Sequence, residues 1–521
     1  MRYATLAVGA VLGVLGGRGS AAGPQPVATP AIDANLPDCG IQKTIDVVAA
    51  AGGGVVRLPA GRFVLRRYLY LRSGVTLEGR GAATVLRLGG PEHRAAVAGA
   101  VASGSRRIAV TGDLRSLRPG DIVHVWRNGP ATHQAHLKAM TVAAVDRRAI
   151  TFTEPYPYKL PAASKAHVSW GKVTRLAADA AKGARSVRVE HARLLRPGEA
   201  LFFSGKGDMW NHHFNVAAAV NGDTLALDRP LTVNAKKGVP VYLGHCAITA
   251  DGEKHVGVED LAVEGWAGPP PPWGGFRLAA IHTVRCSGIA IRSVTVRNWP
   301  ADGFSIQAGK DLLVTGCTAS GCRGHGFHPG TGFTNAEFTK LRSIGNGGDG
   351  LYYCWHNVNV NVRDCLLRGN AGHGIGGLGN PGDRKNLIER NTIERNGRAG
   401  IAVNGGKVSE NVIRRNVIRD NSAEKPGKYP GVWLHAAAED ARAFTVEHNT
   451  IASTLDKPTQ WVGVREQNGS YRGKPTTADE NVIRGNTFRG HKEADVVAVG
   501  PKTVVDQPGA KVVRPASPAP R

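Results

Sequence analysis

Glycine followed by an apolar residue recurs through the second half of the chain: Gly303-Phe304, Gly326-Phe327, Gly350-Leu351, Gly374-Ile375, Gly400-Ile401, Gly431-Val432 and Gly463-Val464. The intervals are 23, 24, 24, 26, 31 and 32 residues. Further short apolar runs lie between the anchors, often as Asn-x-apolar: Asn391-Thr392-Ile393, Asn416-Val417-Ile418, Asn449-Thr450-Ile451 and Asn486-Thr487-Phe488. A period of this size, built from several very short strands, predicts a solenoid. Helical repeats are excluded because Gly and Asn interrupt every candidate helix. Leucine-rich repeats are excluded because no Leu-x-x-Leu-x-Leu frame occurs. What remains is an all-β chain whose residues 246–500 form a right-handed parallel β-helix, each turn stacked about 4.8 Å from the last. Four positions before the anchor stand Asn346, Asn370 and Asn396. They predict a ladder of stacked amides, on a residue type that tolerates a left-handed turn.

The first half reads differently. Thr5 to Gly17 is a short apolar stretch behind Arg2, and Ser20-Ala21-Ala22 is a small-residue cleavage site. Residues 1–22 therefore read as a secretory signal, and the protein is expected to be extracellular or periplasmic. Residues 35–98 hold Ile41, Ile45 and Val48 at helical spacing, closed by Gly52-Gly53-Gly54. Short β-rich runs follow, so the helix is expected to cap the first turns of the solenoid. Residues 99–175 and 176–245 share an internal duplication, Leu117-Arg118-Pro119-Gly120-Asp121 against Leu195-Arg196-Pro197-Gly198-Glu199. They read as two small inserted β modules, with the loop Asp208–His213 expected to overhang a groove. Residues 501–521 carry five prolines and read as a disordered tail.

Charge adds a partner. Lys and Arg number 66 against 41 Asp and Glu, a formal net charge of +25 spread along the chain rather than run into a block. Such a surface attracts polyanions. For an exported protein the expected partner is an acidic polysaccharide and not nucleic acid. No apolar run reaches the length of about 18 residues that a membrane span needs. The seven cysteines follow no disulfide or zinc spacing, and most of them read as small buried apolar residues.

One register position is hard to assign to scaffold alone. Immediately before the anchor Gly stand Asp302, His325, Asp349 and His373 in four consecutive turns. They predict an Asp-His-Asp-His line in which neighbours stabilise each other's charge, or else a ladder of turn polars bonded to one another. Two positions after the anchor lie Ser305, His328 and Tyr352, with Arg323, Tyr353, Trp355 and His356 nearby. In later turns Gly376 and Ala402 replace Tyr352, so the polar face is expected to fade. The candidate catalytic residues are His328, His325, Asp349, Tyr352 and Asp302. Arg323, Tyr353, Trp355, His356 and His373 are candidates for binding substrate. No metal site is predicted; calcium is the one cofactor considered, at Asp302 and Asp349, although carboxylates do not cluster as an oxygen cage requires.

The segment Gly52-Gly53-Gly54-Val55-Val56-Arg57-Leu58-Pro59-Ala60-Gly61, followed by Gly74-Val75-Thr76-Leu77-Glu78-Gly79, resembles the opening of the pectate-lyase-like superfamily of right-handed parallel β-helix proteins. The resemblance covers residues 40–95 and 246–500 and implies a carbohydrate lyase, hydrolase or epimerase. Gly326-Phe327-His328-Pro329-Gly330 is similar to the Gly-Phe-Asp-Pro-His segment of mannuronan epimerases, with His328 at the Asp position and Gly330 at the His position. Asp302-Gly303 and Gly324-His325-Gly326 are similar to polygalacturonase motifs, without that family's paired Asp-Asp turn. The expected function is therefore a lyase or epimerase of a uronate-containing polysaccharide. In it His328 or His325 removes the proton beside the carboxylate, Arg323 holds that carboxylate, and Tyr352 or Tyr353 supplies a proton. A glycoside hydrolase using Asp302 and Asp349, and a non-catalytic glycan-binding protein, are the alternatives.

Overall fold

The computed structural model describes residues 26–515, apart from 89–92, 127–137, 163–165, 172, 193–194, 205–211, 243–245, 266–276 and 408. The leader and most of the Asp208–His213 loop fall outside the described residues. Three parallel sheets of 12, 13 and 11 strands wind around one core. In the 12-stranded sheet the anchors stack in one column, Phe304 beside Phe327, then Leu351, Ile375, Ile401, Val432 and Val464. The residue after each anchor Gly is fully buried, and the Phe304 and Phe327 rings stack at 4.7 Å between centroids. Alternation along a strand then turns the next side chain outward and the one after it inward again.

The corners of the coil explain the asparagines. Asn346 Nδ2 donates to Asn370 Oδ1 at 2.9 Å, Asn370 to Asn396 at 3.0 Å, and Asn396 to Asn421 at 3.0 Å. A second ladder runs from Asn391 through Asn416 and Asn449 to Asn486. The left-handed residue is not the asparagine itself but the one before it, Gly345, Gly369 and Arg395 having φ of 63°, 64° and 54°. That corner aims the amide into the coil, where it bonds the next turn.

The helix Ile41–Ala50 buries Ile41, Ile45 and Val48 against the first turns and ends at Gly52 and Gly53, both with positive φ. Between the first turn and the rest of the solenoid stand two antiparallel units. One is a closed barrel whose strands run from His93–Val97 to His167–Trp170, the other a six-stranded sheet from Val173–Arg175 to Pro240–Tyr242. The duplicated motif makes the same bonds in both. Gly120 N–H donates to Val142 O and Gly198 N–H to Ala217 O, at 2.8 and 2.7 Å. Arg118 N–H donates to the Asp121 carboxylate and Arg196 N–H to that of Glu199. Ile122, Val173 and Phe202 join the core of the solenoid.

The expected disordered tail is corrected over its first part. Val504–Asp506 pairs with Val482–Arg484, and Val512–Val513 with Val496–Val497. Two β-branched pairs suffice to extend the sheets, because the prolines lie in the connections between them.

Candidate functional site

The site is built on the motif Gly-X-Gly, present as Gly324-His325-Gly326, Gly348-Asp349-Gly350 and Gly372-His373-Gly374. Each central side chain accepts the backbone N–H of the central residue one turn on. His325 N–H donates to Asp302 Oδ1 at 2.8 Å, Asp349 N–H to His325 Nδ1 at 2.9 Å, and His373 N–H to Asp349 Oδ1 at 2.6 Å. Ala399 N–H closes the series on His373 Nδ1 at 3.1 Å. The first glycine of each motif is required by this line. A Cβ at Gly324 would collide with Asp302 Oδ1 and one at Gly372 with Asp349 Oδ1, while one at Gly348 would stand 2.9 Å from His325 Nδ1.

The expected charge pairing along the line is corrected by this bonding. His325 Nδ1 stands 3.7 Å from Asp349 Oδ2, but it is already an acceptor, so its proton resides on Nε2 and the ring is a donor toward that side. His373 is held in the same tautomer, and burial pulls its pKa down to about 3, so it is neutral. Burial also pushes Asp349 up to about 7, against the pull of the His373 N–H and of Arg398.

His328 faces outward, as the alternation requires, yet it is only 2% exposed. The His325 and Tyr352 rings pack edge-on to it at 5.4 and 5.1 Å and stack on each other at 4.6 Å. Its Nδ1 lies 2.8 Å from Asp302 Oδ2. Burial disfavours its charge, but the bonds to Asp302 and Cys354 outweigh that and push the imidazole up to about 9. Asp302, also 2% exposed, thereby spends one oxygen on the His325 N–H and the other on His328. Burial raises its pKa and the two histidines lower it further, leaving it below the usual carboxylate range.

A groove of about 640 Å³ opens on the outer side of the 12-stranded sheet. His325, Asp349 and Tyr352 form one end and His373 lies along it. Gly377 and Ala402 make a low floor, Trp433 and His435 the far wall, and Arg395, Arg398 and Glu424 the rim. The face does not fade where small residues replace Tyr352; they hollow it, and the groove extends three turns beyond Tyr352, to Trp433 and His435. Trp433 occupies the same register, two after Gly431 and paired with Ala402. The 31-residue interval before that anchor obscured it. Arg398 carried a weaker signal, one residue before the ladder position Ala399.

Several expected residues lie elsewhere. Tyr353 points into the core, fully buried, and donates its hydroxyl to Val360 O at 2.9 Å, since the third residue after the anchor alternates inward. Trp355 and His356 are exposed on the turn leaving the sheet, where the His356 ring lies over Gly382, and neither lines the groove. Arg323 is half-buried outside the groove lining, and burial lowers its pKa. Gly330 leaves the space that the Gln307 amide fills, for a Cβ there would strike it.

Among the described residues, Asp302, His325 and His328 bring three donor atoms within 4.8 Å of one another. One carboxylate with two imidazoles is not the oxygen shell calcium takes, and Asp302 and His328 are bonded to each other.

The right-handed β-helix region family matches residues 279–451 and 377–501. Among solved structures, the A-module of the Azotobacter vinelandii mannuronan C-5 epimerase AlgE4 aligns at 15% identity over 91% of this chain and 96% of its own, with a TM-score of 0.42. The polygalacturonase of Erwinia carotovora ssp. carotovora aligns at 11% identity over 96% and 100%, with a TM-score of 0.41. Comparison with curated proteins returns no match. Three parallel sheets wound around a single core, together with that family match over residues 279–501, show that the chain folds as a right-handed parallel β-helix.

Proposed function

We propose that the groove binds a uronate-containing polysaccharide and removes the proton beside its carboxylate, as a lyase or an epimerase does. The observation that carries this reading is the Asp349 carboxyl, pushed up to about 7 inside a groove that also holds Tyr352 and Arg398. A carboxylate with that pKa is a stronger base than an ordinary one and is ionised once the pH passes about 7. Asp349 takes the proton. Arg398, close enough to lower the pKa values of Asp349 and His373, holds the sugar carboxylate and its developing charge. Burial keeps the Tyr352 phenol protonated, so it is the donor to the leaving oxygen or to the opposite sugar face. His325 and His373 present Nε2–H to the enolate.

This assignment moves the base from the histidines to Asp349. His328 is buried and already charged, and the Nε2 edge of His325 carries a hydrogen. The hydrolase reading asks Asp302 to act, yet both its oxygens are spent away from the groove, and the remaining groove carboxylate, Glu424, lies on the rim 3.7 Å from Arg398. The leader at residues 1–22 and the net charge of +25 support an exported protein that meets polyanions outside the cytoplasm.

Purified protein offered alginate, pectate and glycosaminoglycans separates the readings. Elimination yields an unsaturated uronide that absorbs in the ultraviolet, and epimerisation in heavy water places deuterium at C-5. New reducing ends without either product would establish hydrolysis, and binding without any product would leave a lectin-like groove.

The aromatic wall gives a second expectation. Trp433 stacks on His435 at 4.6 Å and leans toward His373 and Tyr429. Trp433→Ala is expected to weaken oligosaccharide binding about tenfold, from the loss of one aromatic contact, while leaving turnover at saturation near its original value. A lowered kcat at unchanged affinity would remove Trp433 from the binding surface.

A further inference from the structure

A second chemical centre lies on the same outer face, away from the groove. Cys354 follows Tyr353 on the outward alternation, one turn along from Pro329, to whose carbonyl its N–H donates at 3.0 Å. Its Sγ is 3.1 Å from Thr331 Oγ1, and the His328 imidazole and the Trp355 backbone stand close enough to lower its pKa. Behind His328 stands Asp302, its Oδ2 2.8 Å from Nδ1. Carboxylate, imidazole and thiol thus form a continuous series, the order that activates a cysteine by placing a charged imidazole beside it.

We propose that Cys354, held by His328 and Asp302, is a reactive thiolate that forms a mixed disulfide with low-molecular-weight disulfides. The thiolate attacks one sulfur of the disulfide. A new Sγ–S bond forms, the old S–S bond breaks, and the other half leaves as a thiolate that takes a proton from water. Cys354 is oxidised and the departing thiol is reduced, so the disulfide supplies the whole redox balance.

Selectivity comes from contrast within the chain. Cys39, Cys246, Cys286, Cys317, Cys322 and Cys365 are buried, and burial raises each of their pKa values. Cys354 is the partly exposed one. Burial raises its pKa too, but the bond and charge of His328, with the Thr331 hydroxyl, bring it below the ordinary thiol value. The sequence reading of most cysteines as small buried apolar residues fits those six.

The test is native labelling of the full chain with iodoacetamide and, separately, with glutathione disulfide, read by intact and peptide mass. One adduct per chain on the peptide containing Cys354 is expected, with the glutathione adduct released by dithiothreitol. An unperturbed thiol with a pKa of about 8.5 slows roughly tenfold per pH unit below that value; Cys354 is expected to slow far less steeply. His328→Gln should restore the ordinary slope, and Cys354→Ser should take up no label. Protection of Cys354, earlier labelling of another cysteine, or an ordinary slope in the unaltered chain would each overturn the proposal. The unaltered chain's own profile decides the matter even where His328→Gln does not fold, and a folded His328→Gln that keeps the shallow slope removes His328 from the centre.

Discussion

Asp349→Asn is expected to lower turnover of a uronate polymer by about 10²- to 10⁴-fold, the range that a positioned acid or base contributes, without lowering the melting temperature at neutral pH. The two halves of this result have one cause. Asparagine keeps an oxygen to accept the His373 N–H, now bonded at 2.6 Å, so the turn-to-turn line survives. What it cannot do is exchange a proton. In the fold the carboxyl holds its proton up to about 7, against 3.8 for an unperturbed aspartate. Between those values the folded chain binds a proton that the unfolded chain has released, so stability falls as pH rises through the window. The amide removes that penalty. Activity should run the other way, kcat/KM climbing from acid to a plateau above about 7 as the base ionises. A rate that instead falls above that pH would make Asp349 a proton donor and return the hydrolase reading. Full activity in a folded Asp349→Asn protein would end the assignment altogether.

Legibility in the sequence followed the periodicity. The anchor column and the Asn346-Asn370-Asn396 ladder were readable because a strand period of two and a turn period near 24 residues are both fixed by backbone geometry. The Asp302-His325-Asp349-His373 line was readable for the same reason. Two things were not. Which side of the coil a position faces, and what covers it, is not fixed by the period. The sequence alone therefore does not decide whether His328 stands inside the coil or outside it, beneath the rings of His325 and Tyr352. Tautomer depends on which amide reaches which nitrogen, and that decides whether His325 can act as a base. Trp433 and Arg398 lay within reach of the register argument but behind longer turns, where a fixed period no longer locates the next anchor. The hollow itself was misread. Gly376 and Ala402 looked like the end of a functional face because they carry no chemistry, whereas a groove needs small residues at its floor.

Asn370→Ala is expected to cost about 2–6 kcal/mol and to lower the melting temperature accordingly, since each of two buried partners left without its bond costs about 1–3 kcal/mol. Asn370 is fully buried. Its Oδ1 accepts from both Asn346 N–H and Asn346 Nδ2, at 3.1 and 2.9 Å, and its Nδ2 donates to Ser343 O and Asn396 Oδ1, at 3.1 and 3.0 Å. Alanine removes all four bonds and strands the Asn346 backbone N–H and the Ser343 carbonyl where no bulk water replaces them, while Asn346 Nδ2 keeps Ala319 O and Ser343 Oγ. An asparagine chain on the solvent side of the coil provides the comparison. Asn335 donates to Asp311 at 3.2 Å and accepts from Asn359 at 3.1 Å, but it is exposed, with φ of 58°. Asn335→Gly removes the same kind of bond while tolerating that backbone conformation, and water takes over both partners, so less than about 1 kcal/mol should be lost. Stacking alone would make the two substitutions equal. A denaturant titration showing Asn370→Ala no less stable than Asn335→Gly would mean that the inner ladder follows from the coil and does not hold it together.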